Sequence, residues 1–232
     1  MTPKRLFRLA RWSGYFGAAA ALVLLAYLVY SEVVRHVFSI YPKAGPVMRF
    51  IPGVIIPSSM VPIAVALRRL YGEDRPIVSA LVTVTGIVGM LGLAALWTIW
   101  TYELLIFEPI SPGFSVRFYS PPIPLPPWFR RWVDSVFGVA VSLWLVLSGY
   151  LIFAHGARRG LPRSLALLGV VAGLGMILWL GTSRLAVPSK LITGYPLSTF
   201  ILSGGVLAML TAYPIWAIWL GRRLLAGSST AS

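Results

Sequence analysis

Apolar residues in this chain do not alternate with polar ones. They come in long runs divided by short clusters of charge, proline and glycine. Crossing about 30 Å of hydrocarbon takes about 20 apolar residues in a helix. Six stretches reach or approach that length, which predicts an all-α integral membrane protein, a bundle of six transmembrane helices. The helices are expected over about 14–36, 50–68, 77–106, 133–155, 163–183 and 196–223, in one membrane domain covering 1–232. The connections are too short for a separate soluble domain.

The third run, Gly86 to Glu103, is echoed later in the chain. A shift of 119 positions lays Gly86 on Gly205, Met90 on Met209, Leu91 on Leu210, Trp97 on Trp216, Ile99 on Ile218 and Trp100 on Trp219. A weaker echo relates Tyr27-Leu28-Val29-Tyr30 to Tyr150-Leu151-Ile152-Phe153 at a shift of 123. Three spans per copy would insert the second copy upside down, so the echo predicts two inverted three-helix repeats. Glycines at 86, 89 and 92 give the third helix a small face for close packing, and Gly169 and Gly173 do the same for the fifth. Trp97 and Trp100 are expected at a membrane interface, where amphipathic rings prefer to sit.

The second run carries Pro52, Pro57 and Pro62 with Ser58 and Ser59 between the last two. A mid-helix proline removes one backbone hydrogen bond, so this helix is expected to kink or unwind. Broken membrane helices often form substrate sites, which makes Pro57, Ser58, Ser59 and Pro62 a candidate site. Between 108 and 131, prolines at 109, 112, 121, 122, 124, 126 and 127 predict an extended loop without regular helix. The Gly-Ser-Ser-Thr-Ala-Ser tail is expected to be disordered.

Composition adds to this picture. Hydrophobic residues make up 58% of the 232 positions and charged residues only 11%, too few to wet the surface of a soluble protein. The formal charge of +14 sits between and beside the runs, so it reads as membrane topology and anionic headgroups, with no nucleic-acid partner. Lys4, Arg5, Arg8 and Arg11 precede a run too long for a cleaved leader, which predicts a retained anchor. Assigning alternate connections to alternate sides puts twelve basic residues on the side of the termini and eight opposite. Both termini are therefore expected in the cytoplasm of a multi-pass cell-membrane protein. Asparagine, glutamine and cysteine are absent and Arg outnumbers Lys, a composition expected of a thermophile source.

Chemistry is sparse. Without cysteine there is no disulfide, thiolate nucleophile or iron–sulfur ligand. His36 and His155 fall at opposite faces and cannot share a haem. No Gly-x-Ser-x-Gly element is present. The remaining polar residues are expected at the outer face, where Glu32, His36, Glu103, Asp134, Arg130 and Arg131 form a candidate binding cluster. No metal, cofactor or catalytic residue is assigned. Gly160-Leu161-Pro162-Arg163 to Gly175 and Tyr213-Pro214-Ile215-Trp216 to Leu225 resemble the closing helices of a family of small bacterial and archaeal polytopic membrane proteins without assigned function. That resemblance implies the fold class and transfers no site residues.

The expectation is a non-enzymatic membrane protein or a subunit of a membrane complex, with the bilayer, other membrane subunits or a second copy as partners. A small inverted-repeat transporter and a membrane enzyme acting at the outer face are the alternatives. The small-molecule substrate of either is unknown. Single cysteines test the topology: with both termini inside, Ser120→Cys in intact cells should react with an impermeant thiol reagent and Ser229→Cys should not. The opposite pattern inverts the assignment.

Overall fold

Proline marks the helix starts. In a computed structural model of the chain, described over residues 2–38, 45–107, 127–184 and 197–229, Pro3, Pro76 and Pro127 are the first residues of three helices, and Pro162 and Pro196 immediately precede two more. Proline suits these positions because the N–H it lacks would have no helical partner there and its φ is already set. Side chains are described over 2–30, 51–99, 132–157, 160–178, 180 and 205–224.

Six α-helices result: α1 (Pro3–Phe38), α2 (Gly45–Tyr71), α3 (Pro76–Phe107), α4 (Pro127–His155), α5 (Arg163–Arg184) and α6 (Leu197–Ser229). No strand occurs among the described residues. Four helices contain segments long and apolar enough to cross a membrane: Pro3–Tyr30, Ile51–Tyr71, Pro76–Ile99 and Trp132–His155. The fold is compatible with a membrane-embedded protein on its surface as well. Along α3, the exposed residues Ile77, Leu81, Val84, Val88 and Leu91 recur at alternating steps of four and three, an apolar stripe facing outward. A water-soluble protein rarely exposes a stripe of that extent.

Three expectations change. Helix α2 runs unbroken through Pro52, Pro57 and Pro62, so the unwinding expected there does not occur. Helix α4 begins at Pro127, which puts Trp128, Arg130 and Arg131 on its first turns instead of in an extended loop. Helix α6 continues to Ser229, so part of the tail expected to be disordered is helical. Residues 108–126 lie outside the described residues.

The helices pack in chain order, each on the next, and α6 returns to pack on α1, closing the circuit. Between α4 and α5 the chain turns through a short 3-10 segment, Gly156–Arg159, and then Gly160 at φ +69°. That left-handed conformation lets the Leu161 N–H reach the Gly156 carbonyl at 2.9 Å.

Close approach is secured by glycine. Gly86, Gly89 and Gly92 all face α4, against Trp144, Ala140 and Phe137, so the small face read from their spacing meets a single partner. Gly169 and Gly173 divide their work: Gly169 accommodates Trp216 of α6, whereas Gly173 lies against the Ser142 carbonyl of α4. Gly175 lets α5 and α6 touch through their backbones, since a Cβ there would stand 2.8 Å from the Gly205 carbonyl oxygen and 3.0 Å from the Met209 nitrogen.

These contacts separate two kinds of glycine. Gly175→Ala should lower the thermal midpoint in detergent, because forcing two backbones apart costs about 1–3 kcal/mol against about 1 kcal/mol gained in helix propensity. Gly160→Ala meets open space and should cost only the left-handed strain, about 1–2 kcal/mol. Comparing unfolding midpoints of the two variants with the parent checks both.

Candidate functional site

A serine in an apolar helix either bonds its own backbone or finds a distant partner, and Ser59 does both. Its hydroxyl contacts the Ile56 carbonyl oxygen at 2.7 Å and the Tyr213 hydroxyl at 3.0 Å. One hundred degrees further round the helix, Ser58 is exposed on the outside of α2. Pro57 is buried and Pro62 half-buried. Of the four residues singled out around the prolines, Ser59 is the one that reaches a polar partner across the fold.

Tyr213 leads to the centre of the molecule. Its ring lies 6.4 Å from that of Trp216, and Trp216 meets Trp144 edge to face at 5.7 Å and 89°. All three rings are buried. The small residues that admit them come from the other helices: Gly17 of α1 abuts Ser59 and Tyr213, Gly86 of α3 abuts Trp144, and Gly169 of α5 abuts Trp216. Trp97, aligned with Trp216 in the sequence echo, is half-buried against Gly53 of α2, and its ring therefore packs on a neighbouring helix.

The other polar concentration lies at the end of the fold that carries the amino terminus. An open depression of about 310 Å³ is lined by Leu6 of α1, Val65, Arg68 and Arg69 of α2, Gly72 and Glu73 of the turn, and Pro76 and Ser79 of α3. Arg68 and Ser79 also border a small recess of about 10 Å³ that reaches Tyr71, Thr83, Trp144 and Ser148. A volume of that order holds about one water molecule. The Ser148 hydroxyl at this recess is buried and makes no hydrogen bond. Ser79 and Thr83 bond backward to the carbonyls of Pro76 and Ser79, at 3.2 and 2.7 Å.

The cluster expected at the outer face is, Asp134 apart, placed by backbone alone. Glu32 and His36 lie in α1, Glu103 in α3, and Arg130 and Arg131 in α4, with side chains outside the described set. Asp134 is half-buried in α4 and engaged by a partner. Among the described residues, no three His, Cys, Asp or Glu side chains stand close enough to hold a metal ion. The chemistry this interior offers is that of hydroxyls and rings, with guanidinium groups at one end.

Sequence reasoning singled out Ser59 and missed Tyr213, Trp144, Tyr71 and Ser148. A hydroxyl within an apolar run was the available signal for Ser148, and the Tyr-Pro pair at 213 and 214 for Tyr213. Comparison of the chain with protein-family models, curated proteins and solved structures returns no match. The resemblance of the closing segments therefore rests on their residues alone.

The Ser59–Tyr213 contact can be weighed directly. Ser59→Ala and Tyr213→Phe should each destabilise, and their double-mutant cycle should give a coupling of about 0.6–2 kcal/mol, the range for hydrogen bonds between membrane helices. Additive effects in thermal or steric-trap unfolding would mean the two hydroxyls are neighbours without a bond.

Proposed function

We propose that this chain is a non-enzymatic integral membrane protein, a tightly packed six-helix transmembrane unit that serves as a structural subunit of a membrane assembly. One observation carries the reading. Among the described residues, the buried polar side chains other than tyrosine and tryptophan are Ser59, Ser79, Thr83, Ser142 and Ser148, with no buried carboxylate, imidazole, ammonium or guanidinium group. Proton- and ion-coupled pathways and acid–base catalysis draw on ionisable groups at depth. Here the centre is filled by Trp144, Trp216, Tyr213, Met60 and Met90, and most of its hydroxyls bond to carbonyls of their own helices.

A transporter of two inverted three-helix repeats is the second reading, and one parallel favours it. In each half the second helix supplies a glycine beneath a tryptophan of the third, Gly53 beneath Trp97 and Gly169 beneath Trp216. Those tryptophans are the pair aligned by the shift of 119. In both readings the chain sits in the cell membrane with its termini in the cytoplasm.

Reconstitution separates the two. Proteoliposomes should show no solute or ion flux above protein-free vesicles, and native electrophoresis of the tagged chain from its own membrane should give a discrete assembly with another chain at fixed stoichiometry. Flux through proteoliposomes, together with migration as the 25.3 kDa chain or its multiples alone, would replace the subunit reading with the transporter.

A further inference from the structure

Helices α1 and α6 bring like charges together. Lys4, Arg5, Arg8 and Arg11 open α1 and Arg222 and Arg223 lie near the end of α6, while no acid precedes Glu32 on α1 or occurs anywhere on α6. Such charges would ordinarily spread apart. Two glycines instead permit a close approach: a Cβ at Gly14 would stand 2.8 Å from the Ala217 carbonyl oxygen, and one at Gly221 would stand 2.9 Å from the Arg11 Cα. The two backbones therefore run close together where the arginines sit.

Both guanidinium groups converge on one phenol. Arg11 donates from Nε to the Tyr15 hydroxyl at 2.9 Å, and Arg222 donates from Nε to the same oxygen at 3.4 Å. The Arg11 guanidinium also lies 5.3 Å from the Tyr15 ring centroid. A neutral phenol orients the two cations without cancelling their charge. Each arginine uses Nε on the tyrosine, which leaves the terminal Nη donors, the pair suited to phosphate oxygens, for another acceptor.

An apolar track adjoins the charges. Leu9, Trp12 and Phe16, on the neighbouring strip of α1, are 47%, 55% and 66% exposed. Trp12 stands edge-on to Tyr15, with centroids 5.8 Å apart at 86°. A ligand matching this surface carries a phosphate and, a few ångströms away, a long apolar chain.

We propose that the α1–α6 seam is a specific seat for an anionic phospholipid. Arg11 and Arg222 clamp its phosphate, Tyr15 positions them, and an acyl chain lies along Leu9, Trp12 and Phe16. The proposal rests on the membrane reading and is independent of whether the chain is a subunit or a transporter.

Delipidated protein in a neutral detergent, titrated with phosphatidylglycerol, phosphatidylcholine or inorganic phosphate, tests it by native mass spectrometry and thermal shift. Phosphatidylglycerol should bind and raise the midpoint, and the other two should not. Arg11→Gln and Arg222→Gln should each weaken lipid binding about tenfold. Arg223→Gln, which removes the same charge one residue away, should leave it within about twofold. Tyr15→Phe keeps every charge and should still weaken binding several-fold, which a diffuse electrostatic attraction would not produce.

Equal losses in the Arg223 and Arg222 variants, or no loss in Tyr15→Phe, would overturn the seat. Inorganic phosphate that stabilises as well as the lipid would replace the lipid with a soluble phosphate compound. Failure of the parent chain to partition into membranes would sink the membrane reading itself, an outcome distinct from any of these.

Discussion

The structure depends on a buried contact among large side chains that only glycine neighbours make room for. Tyr213 and Trp216 of α6 meet Ser59 of α2 and Trp144 of α4, and the helices between them contribute Gly17, Gly86 and Gly169. The rings come from α4 and α6, and the space for them from α1, α3 and α5. In a bilayer there is little hydrophobic gain from bringing one apolar helix to another, because lipid tails are equally apolar. Association has to come from close packing and from hydrogen bonds that lipid cannot offer. This arrangement provides both at one point and engages all six helices there.

The number and approximate positions of the helices were legible because membrane spans are written as uninterrupted apolar runs. Their ends were less so. The charge of Arg5 and Arg8 argues for leaving the hydrocarbon, not for ending the helix, and α1 continues through both. Proline misled in two places for one reason: it breaks a helix only where its missing N–H is needed and cannot be compensated. At Pro127 it opens a helix, and at Pro57 the helix continues unbroken. Ser59 could be picked out as a hydroxyl among prolines. Its partner lies 154 residues away, and no local pattern encodes a contact of that range. Trp216 looked equivalent to Trp97, yet one is buried at the centre and the other half-buried, because sequence similarity fixes residue type and leaves the neighbouring helix open.

Charge and packing divide the molecule. The described centre holds hydroxyls and rings, while arginines gather at the end where α1 begins and α6 finishes, and where the last turn of α2 supplies Arg68 and Arg69. Isolated surface charges add little to stability. Their concentration here is a matter of placement more than of stability, since α6 carries no acid and α1 none before Glu32.

The contact between α1 and α6 also sets an order of events. During synthesis α1 is made long before α6, with Gly14 and Gly17 shaped for residues of α6 that are about two hundred positions from being translated. Helices α2 to α5 can each dock on a predecessor as they emerge, whereas the flank of α1 that α6 covers stays open until α6 arrives. The nascent chain is thus an open arc with an incomplete edge, and the arrival of α6 is the step that closes it.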